Sequence, residues 1–312
     1  MLIASRISTL AGGGDIRPNT TRIECSIPWA TSVGIRAATA INPSVPTVID
    51  WGDGTSDTVT GDISSLYHDY SAEGTYVFEI SDNISSFNIK QQTYITRILN
   101  ISSNVTSIPS NGLSQLSNLS YVYAGSSGQL TLGDSAFYAS AYYTSVPAAT
   151  FDFSGRTISV IPRNCFNQCK RLVSFACPKG LTEIQQSAFN AAFQNATGTA
   201  SIDIPEGVTT IGNWCFNWAE GLSEVTFPST LLSIGQQAFE GCNILSKITS
   251  KSMTAPTLDF STWGNGYYAG KDTASSGTNR LYVPTGATGY NTGYWLDPLQ
   301  NSSKCGFTLV EV

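Results

Sequence analysis

The sequence predicts a mainly β chain, in which a β-sandwich is followed by a solenoid of short strands and short helical turns. One observation is an Ile followed five residues later by Phe, a pair that returns about every 23–29 residues. A second is that residues 20–90 lack this pair and alternate short β-type runs with turns. Stacked repeats explain the first pattern, and short strands joined by turns explain the second.

The N-terminal region carries the stretch "VIDWGDGTSDTVTGDISSLYHDYSAEGTYVFEI". This stretch resembles the polycystic-kidney-disease (PKD) type of immunoglobulin-like (Ig-like) sandwich. The resemblance implies that Trp51 is the core aromatic residue and that His68 and Tyr70 lead into a corner before the last strand. His68 is the only histidine, and a Ser-His-Asp triad would have to use it. Because that position is structural in the PKD family, we predict no catalytic residue there.

Acidic residues gather near the same turn, at Asp50, Asp53, Asp57 and Asp62. Calcium takes carboxylate oxygens as ligands, so these side chains could surround a cation. They lack the dense alternate-residue spacing of a calcium loop, which favours an interpretation as turn and surface residues. We therefore predict no metal site, and calcium near Asp53 stays an open alternative.

The solenoid repeat has four strict copies and two looser ones, and a Leu follows six residues after the Phe position in four of them. The strict pairs are Ile161/Phe166, Ile184/Phe189, Ile211/Phe216 and Ile234/Phe239, the looser pairs are Ile108/Leu113 and Leu132/Phe137, and the following leucines are Leu119, Leu172, Leu222 and Leu245. One unit is too small to bury its own apolar face. We expect these residues to point into one continuous core.

Within a unit, the segment around "AF" is predicted to form one turn of helix. The following apolar run, as in "LVSFACP", "SIDIP" and "LSEVTFP", predicts a short strand with alternating faces. Proline is tolerated where the strand ends, because pairing stops there.

The phrase "VTTIGNWCFNWAE" raises the question of a binding or redox site at Trp214, Cys215, Phe216 and Trp218. Cysteine exchanges with alanine in this repeat position, which is typical of a small buried hydrophobic residue. The exchanging residues are Cys165 and Cys215 with Ala136, Ala188 and Ala238, and Cys169 and Cys242 with Ala192 and Ala219. No histidine or second cysteine pair completes a metal site. We predict that these four residues belong to the hydrophobic core and do not form a binding or redox site.

The C-terminal residues depart from the repeat after Ile248 and are rich in aromatic residues and Gly. Trp263, Tyr267 and Tyr268 stand in a loop-like stretch and could stack on sugar rings. Tyr282, Tyr290 and Trp295 are expected to close the open end of the core, because a solenoid must have atypical ends.

Composition excludes several classes of function. Only 12% of the 312 residues are charged, against about 25% in typical proteins. A net charge of −6 argues against nucleic-acid binding, which demands a basic surface. No apolar run approaches the roughly 20 residues that span a bilayer, so we expect no membrane insertion. No motif predicts a cofactor, and we expect no enzymatic activity.

The phrases "LTEIQQSAFNAAF", "VTTIGNWCFNWAEGLSEVTFP", "LLSIGQQAFEGC" and "LYVPTGATGY" resemble leucine-rich repeats of the BspA type. That resemblance implies adhesion or recognition on the surfaces of gut bacteria or in their phages. The predicted divisions are an arm at 1–19, a PKD-like β-sandwich at 20–90, about six repeats at 91–250 and a cap at 251–312.

The chain opens without a sustained apolar segment after a basic start, so we expect no secretory signal. The preferred hypothesis is a phage virion component, either a head decoration or a tail-associated fibre. Its N-terminal region would contact other virion proteins, its repeats would contact a host glycan or protein, and it could form homo-oligomers. The alternatives are a bacterial cell-surface or extracellular adhesin and, more remotely, a carbohydrate-active enzyme.

Outward residues of successive strands are expected to form one ladder-like recognition surface. The expected contact residues are Tyr121, Tyr123, Asp152, Ser174, Ala176, Ser201, Asp203, Glu224, Thr226, Lys247 and Thr249. Trp263, Tyr267 and Tyr268 compete with them as a contact site. Because the side chains of the ladder are small and polar apart from the tyrosines at one end, the surface suits glycans or a polar protein more than lipid.

Overall fold

The computed structural model describes residues 20–143, 147–196, 200–259, 262, 279–291, 295 and 307–312. Within these residues the chain forms 23 strands, here β1–β23, and no helix. The predicted mainly β solenoid is confirmed. No helix of the described residues has the length and apolarity needed to cross a membrane.

The first eight strands form two antiparallel sheets, ordered β8-β1-β6-β3-β4 and β7-β2-β5. Their bounds are β1 Thr21–Ile27, β2 Thr31–Ala40, β3 Pro46–Asp50, β4 Ser56–Thr60, β5 Ile63–Tyr70, β6 Gly74–Ile80, β7 Ile84–Asn88 and β8 Ile95–Asn100. Buried side chains from both sheets, such as Ile23, Val33 and Phe78, join one core. Trp51 lies in this core, and its carbonyl oxygen accepts a hydrogen bond from the Tyr70 hydroxyl at 2.8 Å.

The remaining strands form two ladders of parallel pairs that run along the solenoid. The first ladder continues from β8 through β10 Tyr121–Tyr123, β12 Ala149–Asp152, β14 Leu172–Ala176, β16 Ala200–Asp203, β18 Leu222–Phe227, β20 Lys247–Ser250, β22 Arg280–Val283 and β23 Thr308–Glu311. The second ladder continues from β7 through β9 Ser107–Ile108, β11 Thr131–Leu132, β13 Val160–Ile161, β15 Glu183–Ile184, β17 Thr210–Ile211, β19 Ser233–Ile234 and β21 Thr257–Leu258. Strand pairing is interrupted once in each ladder, between β14 and β16 in the first and between β11 and β13 in the second. One coil of the solenoid therefore contributes one strand to each ladder.

Residues 84–100 belong to both parts of the fold. Strand β8 pairs antiparallel with β1 on one edge and parallel with β10 on the other. Strand β7 likewise pairs antiparallel with β2 and parallel with β9. The segment from β7 to β8 is thus the first coil of the solenoid, and the two N-terminal sheets continue directly into its ladders.

A third set of hydrogen bonds, which we call the turn ladder, links the segments around each Phe anchor. The N–H groups of Asn164, Phe166 and Gln168 donate to the carbonyls of Gln186, Ala188 and Asn190 in the next coil, at 3.2, 2.8 and 2.8 Å. The same pattern extends from Ile89 and Gln91 in the first coil to Phe239, whose N–H donates to Thr262.

The turn ladder shows that the predicted helical turns are wrong. The residues two positions before and after the anchor adopt left-handed backbone, with φ of 54° at Asn164 and 61° at Gln168. An α-helix needs a run of negative φ. Here alternate N–H groups close tight turns within the coil, as from Cys169 to Phe166, while the others reach the neighbouring coil. Inter-coil bonding therefore replaces helical bonding.

The core of the solenoid is a stack of the predicted anchors. The rings of Phe137, Phe166, Phe189, Phe216 and Phe239 follow one another with centroids 5.2 Å apart at every step. Cys165 and Cys215, which precede two of these rings, have no exposed surface. The predicted burial of the anchors and of the exchanging cysteines is confirmed.

We expect Phe216→Ala to lower the free energy of unfolding by about 3–5 kcal/mol, because it leaves a cavity between two stacked rings. Cys215→Ala should cost far less, since the equivalent residues Ala188 and Ala238 are accommodated in the same core. Thermal and urea unfolding of the two variants measures the difference. A more damaging cysteine variant would contradict the repeat alignment.

Candidate recognition surface

The structure places the predicted ladder residues in two rows on the outer side of the first ladder, here called the outer rows. In one row Tyr121 is paired with Thr150, which is paired with Ser174, and Ser201 is paired with Glu224 and then Lys247. In the other row Tyr123, Asp152 and Ala176 are neighbours, as are Asp203, Thr226 and Thr249. The residues between the rows, Val122, Phe151, Phe175, Ile202, Val225 and Ile248, are buried. Alternation along each strand thus separates an outward surface from the core.

Charged side chains of the outer rows form ion pairs with each other and with Lys251, which follows β20. Lys247 Nζ lies 3.0 Å from Glu224 Oε2, and Lys251 Nζ lies 3.5 Å from Asp203 Oδ1. These pairs are exposed to solvent, where ion pairs contribute little to stability. They can therefore be exchanged for contacts with a partner at low cost to the fold.

The aromatic end of the outer rows is held by a cation. The Arg97 guanidinium lies over the Tyr121 ring, 5.0 Å from its centroid. Arg97 also contacts Glu24 of β1 at 3.5 Å, so the N-terminal sheet supports this corner. Burial, together with the Asp152 carboxylate, raises the pKa of Tyr121, and its hydroxyl stays protonated and able to donate a hydrogen bond.

The outer rows are longer than the sequence predicted. Arg97 precedes Tyr121, while Arg280 and Thr308 follow Lys247. Tyr282, which we expected to close the core, lies instead in the second row beside Thr249 and is half-buried. The alternating runs "ITRILN" and "RLYV" carried the signal for these residues. The competing residues Trp263, Tyr267 and Tyr268 lie outside the described residues.

The predicted assignment of Trp214 and Trp218 to the core is wrong. Cys215 and Phe216 are buried, but the two tryptophans flank them on the turn ladder and keep part of their surface exposed. Both have left-handed backbone, with φ of 54° and 56°. A residue two positions from the anchor points outward in this turn geometry, so neighbouring the core in sequence does not bury it.

The acidic side chains of the turn near Asp53 form separate local hydrogen bonds. Asp53 accepts hydrogen bonds from Thr55 and lies 2.7 Å from His68 Nε2, while Asp57 accepts from Trp51 Nε1 at 2.8 Å. The His68 ring stacks on Trp51 with centroids 5.0 Å apart. Among the described residues, no three metal-ligating side chains come together. His68 therefore stabilises the conformation of this turn through its contacts with Asp53 and Trp51.

The described cysteines are free thiols, and most of them are fully buried. Burial raises the pKa of Cys25 to about 11 and of Cys177 to about 12, and it raises those of Cys165 and Cys215 well above the ordinary value. The thiolate is the reactive form of cysteine, so these residues are chemically inert near neutral pH.

Comparison with known proteins agrees with this architecture. The chain matches the family described as BspA type leucine rich repeat region, in six copies within residues 65–146, 82–192 and 190–258. A search of curated protein sequences found no match.

The solved structures that are similar to the chain include two leucine-rich-repeat proteins. One is a leucine rich repeat protein of T. pallidum, with 17% identity over 56% of this chain and 78% of that one, and a TM-score of 0.31. The other is a leucine rich cell surface protein of Faecalibacterium prausnitzii A2-165, with 16% identity over 74% of this chain and 83% of that one, and a TM-score of 0.25.

Native labelling with iodoacetamide at pH 8 should leave Cys165, Cys169, Cys215 and Cys242 unmodified, because burial keeps these thiols protonated and out of contact with solvent. The same residues should react after unfolding in guanidinium chloride. Peptide mass spectrometry reads out both conditions. Rapid native modification of Cys215 would show that the coil opens or that the thiol is activated.

Acid should destabilise the N-terminal sheets through Asp53. Hydrogen bonds from Thr55 and then from His68 lower the pKa of Asp53 to about 2 in the folded chain. A folded-state pKa below the unfolded value stabilises the fold above about pH 4, and this contribution disappears as the pH falls from 4 to 2. Urea unfolding across this range should show a smaller loss for Asp53→Asn than for the unmodified chain. If the free energies of unfolding of the two proteins depended equally on pH, the lowered pKa of Asp53 would be contradicted.

Proposed function

This chain belongs to the BspA type leucine-rich-repeat family, and we propose that it is a non-enzymatic protein that recognises the surface of a cell. The observation that carries the proposal is the pair of outer rows. They present small polar, charged and aromatic side chains on the two consecutive sheets that make up the first ladder. Solenoid sheets of this kind serve as extended binding surfaces.

The chemistry of the outer rows suits a glycan or a polar protein. Tyr121 and Tyr123 offer aromatic surface at one end, and Asp203, Glu224 and Lys247 offer exchangeable charges further along. Hydroxyl and amide partners can pair with such groups, whereas a lipid surface would need a larger apolar area. The buried thiols and the structural use of His68 support a binding role rather than catalysis.

We propose further that the chain is a virion component, a head decoration or tail-associated fibre of a phage that infects gut bacteria. Free buried cysteines suit a protein that folds in a reducing cytoplasm before assembly. In this proposal the N-terminal sheets form a PKD-like domain that contacts other virion proteins, and copies of the chain can associate. The Trp51–Tyr70 hydrogen bond and the His68 stacking on Trp51 support the PKD-like assignment.

The second candidate is an adhesin displayed by a bacterium. The similar protein from Faecalibacterium prausnitzii, described as a cell surface protein, favours this alternative. Mass spectrometry of purified virions and of bacterial surface fractions separates the two. The virion proposal expects the chain at fixed stoichiometry in particles, and recovery from cell envelopes alone would replace it with the adhesin.

We expect the charge reversals Asp203→Lys and Glu224→Lys to weaken retention of the purified protein on intact gut-bacterial cells. The melting temperature should change little, because the side chains are exposed and their ion pairs are solvated. Tyr121→Ala and Tyr123→Ala test the aromatic end in the same assay.

The matched control is Glu183→Lys, which makes the same charge change on the second ladder. It should leave cell binding unaltered. Normal binding by all four outer-row variants, together with a loss in Trp263→Ala, would move the contact site to the C-terminal loop.

A further inference from the structure

Exposed aromatic side chains line one edge of the sheet ordered β14-β12-β10-β8-β1-β6-β3-β4. This edge, here called the starting edge, is where β1 ends and where β8, β10, β12 and β14 begin. Trp29 follows β1 and Tyr94 precedes β8, and their rings meet edge to face with centroids 6.1 Å apart. Tyr142 and Tyr143, which precede β12, form a second such pair at 5.9 Å. Trp29 is 61% exposed and Tyr143 is 46% exposed, so each pair presents an open ring.

Hydrogen bonds hold the segments of the starting edge side by side, in the order of the strands. The bonds run from the Ser26 N–H to the Tyr94 carbonyl, from Asn118 Nδ2 to the Thr93 carbonyl, from the Tyr142 N–H to the Ser117 carbonyl and from the Arg171 N–H to the Ala141 carbonyl, at 2.9, 2.6, 3.0 and 3.0 Å. Neighbouring strands lie about 4.8 Å apart. The two aromatic pairs are therefore separated by two strand spacings, about 10 Å, with Asn118 between them.

Two cations lie beside the second aromatic pair. Lys170 Nζ stands over the Tyr142 ring, 4.6 Å from its centroid, and Arg171 Nη1 donates to the Asn195 carbonyl at 2.8 Å. Within the part of the chain that the structure describes, neither Lys170 nor Arg171 forms an ion pair. The starting edge therefore combines open aromatic rings with positive charge that no carboxylate of the described residues neutralises.

The sequence around the starting edge contains no Asp or Glu in the segments 93–96, 117–120, 140–143 and 168–171. On the outer rows, by contrast, Arg97 is paired with Glu24 and Lys247 with Glu224. The starting edge is thus complementary in charge to an anionic ligand, whereas the outer rows are not.

We propose that the starting edge is a binding site for a saccharide that carries carboxylate groups. The exposed rings of Trp29 and Tyr143 offer flat apolar surfaces to the C–H faces of sugar rings. Hydroxyl and amide side chains between the aromatic pairs, such as Asn118, can donate to and accept from sugar hydroxyls. Lys170 and Arg171 supply the positive charge that a carboxylate needs.

A protein partner fits the starting edge less well than a saccharide. The strongest contacts of protein interfaces fill well-packed, desolvated pockets. Here the residues between the two aromatic pairs include Ser117, Asn118 and Ser120, which are polar. For its biological use the site rests on the recognition role proposed above, but none of its residues belongs to the outer rows.

The test titrates the full chain with short oligomers of galacturonic acid, of hyaluronan and of sialic acid, followed by isothermal titration calorimetry. The methyl ester of each oligomer is the matched probe, because it keeps the sugar rings and removes the charge. We expect at least one acidic oligomer to bind, roughly tenfold more tightly than its ester. Its affinity should fall as the ionic strength rises, because salt screens exposed charges.

Three variants assign the binding to the starting edge. Trp29→Ala and Tyr143→Ala should each weaken binding of the acidic oligomer roughly tenfold, because each removes an open ring. Lys170→Gln should abolish the preference for the acid over its ester. The matched controls are Tyr67→Ala, which removes a tyrosine that is 45% exposed on β5, and Lys179→Gln, which removes a lysine of the same coil away from the edge. Both controls should bind normally.

The melting temperature should change little in these variants, because the removed groups are exposed. If an alanine variant fails to fold, Lys170→Gln with the two matched probes still decides. The proposal is overturned if no acidic oligomer binds, if acid and ester bind the unmodified chain equally, or if only a single-stranded oligonucleotide binds. Asp203→Lys on the outer rows should keep oligomer binding even where it loses cell binding, so the two proposals can fail separately.

Discussion

The turn ladder is the interaction on which the rest of the solenoid depends. The first strand ladder is interrupted between β14 and β16, and the second between β11 and β13, where the sheets end and new ones begin. The turn ladder crosses both interruptions, as in the bonds from Phe137 to Cys165 and from Phe166 to Ala188. It also sets the 5.2 Å repeat of the Phe stack, because each anchor's own N–H makes the bond to the next coil.

The N-terminal sheets pair with the edge of the first coil that would otherwise be exposed. An exposed strand edge invites unwanted pairing. Here the first coil, residues 84–100, is already paired on its other edge with β1 and β2. The first coil is paired antiparallel on one edge and parallel on the other, so the second coil adds to strands that are already fixed. The outer rows begin at Arg97 and Tyr121, where Arg97 contacts both the Tyr121 ring and Glu24 of the N-terminal sheet.

The sequence was informative where a residue's role depends on its own coil. The Ile and Phe anchors, the exchange of Cys215 with alanine and the outward alternation of Glu224 and Lys247 all follow from spacing within one unit. The turn conformation could not be predicted in this way, because "AF" also fits a helical turn and only bonds to neighbouring coils favour the alternative.

The tryptophans were misplaced for the same reason, since their outward direction follows from left-handed backbone that a single unit does not show. Arg97 and Arg280 were overlooked because they lie in strands outside the clearest repeats, although those strands pair in register with Tyr121 and Lys247. What remained hidden from the sequence was therefore the relation between coils rather than the character of any one residue.

The turn ladder also gives the solenoid an electrical direction. The peptide group joining Cys165 to Phe166 accepts a hydrogen bond from the preceding coil through its carbonyl and donates one to the following coil through its N–H. Peptide dipoles aligned head to tail add up, as they do in a helix. Three such columns run the same way, so the end toward Thr262 is the positive pole and the end toward Gln91 the negative one. A partner that presents carboxylates therefore meets different fields at the two ends of an otherwise repetitive rod.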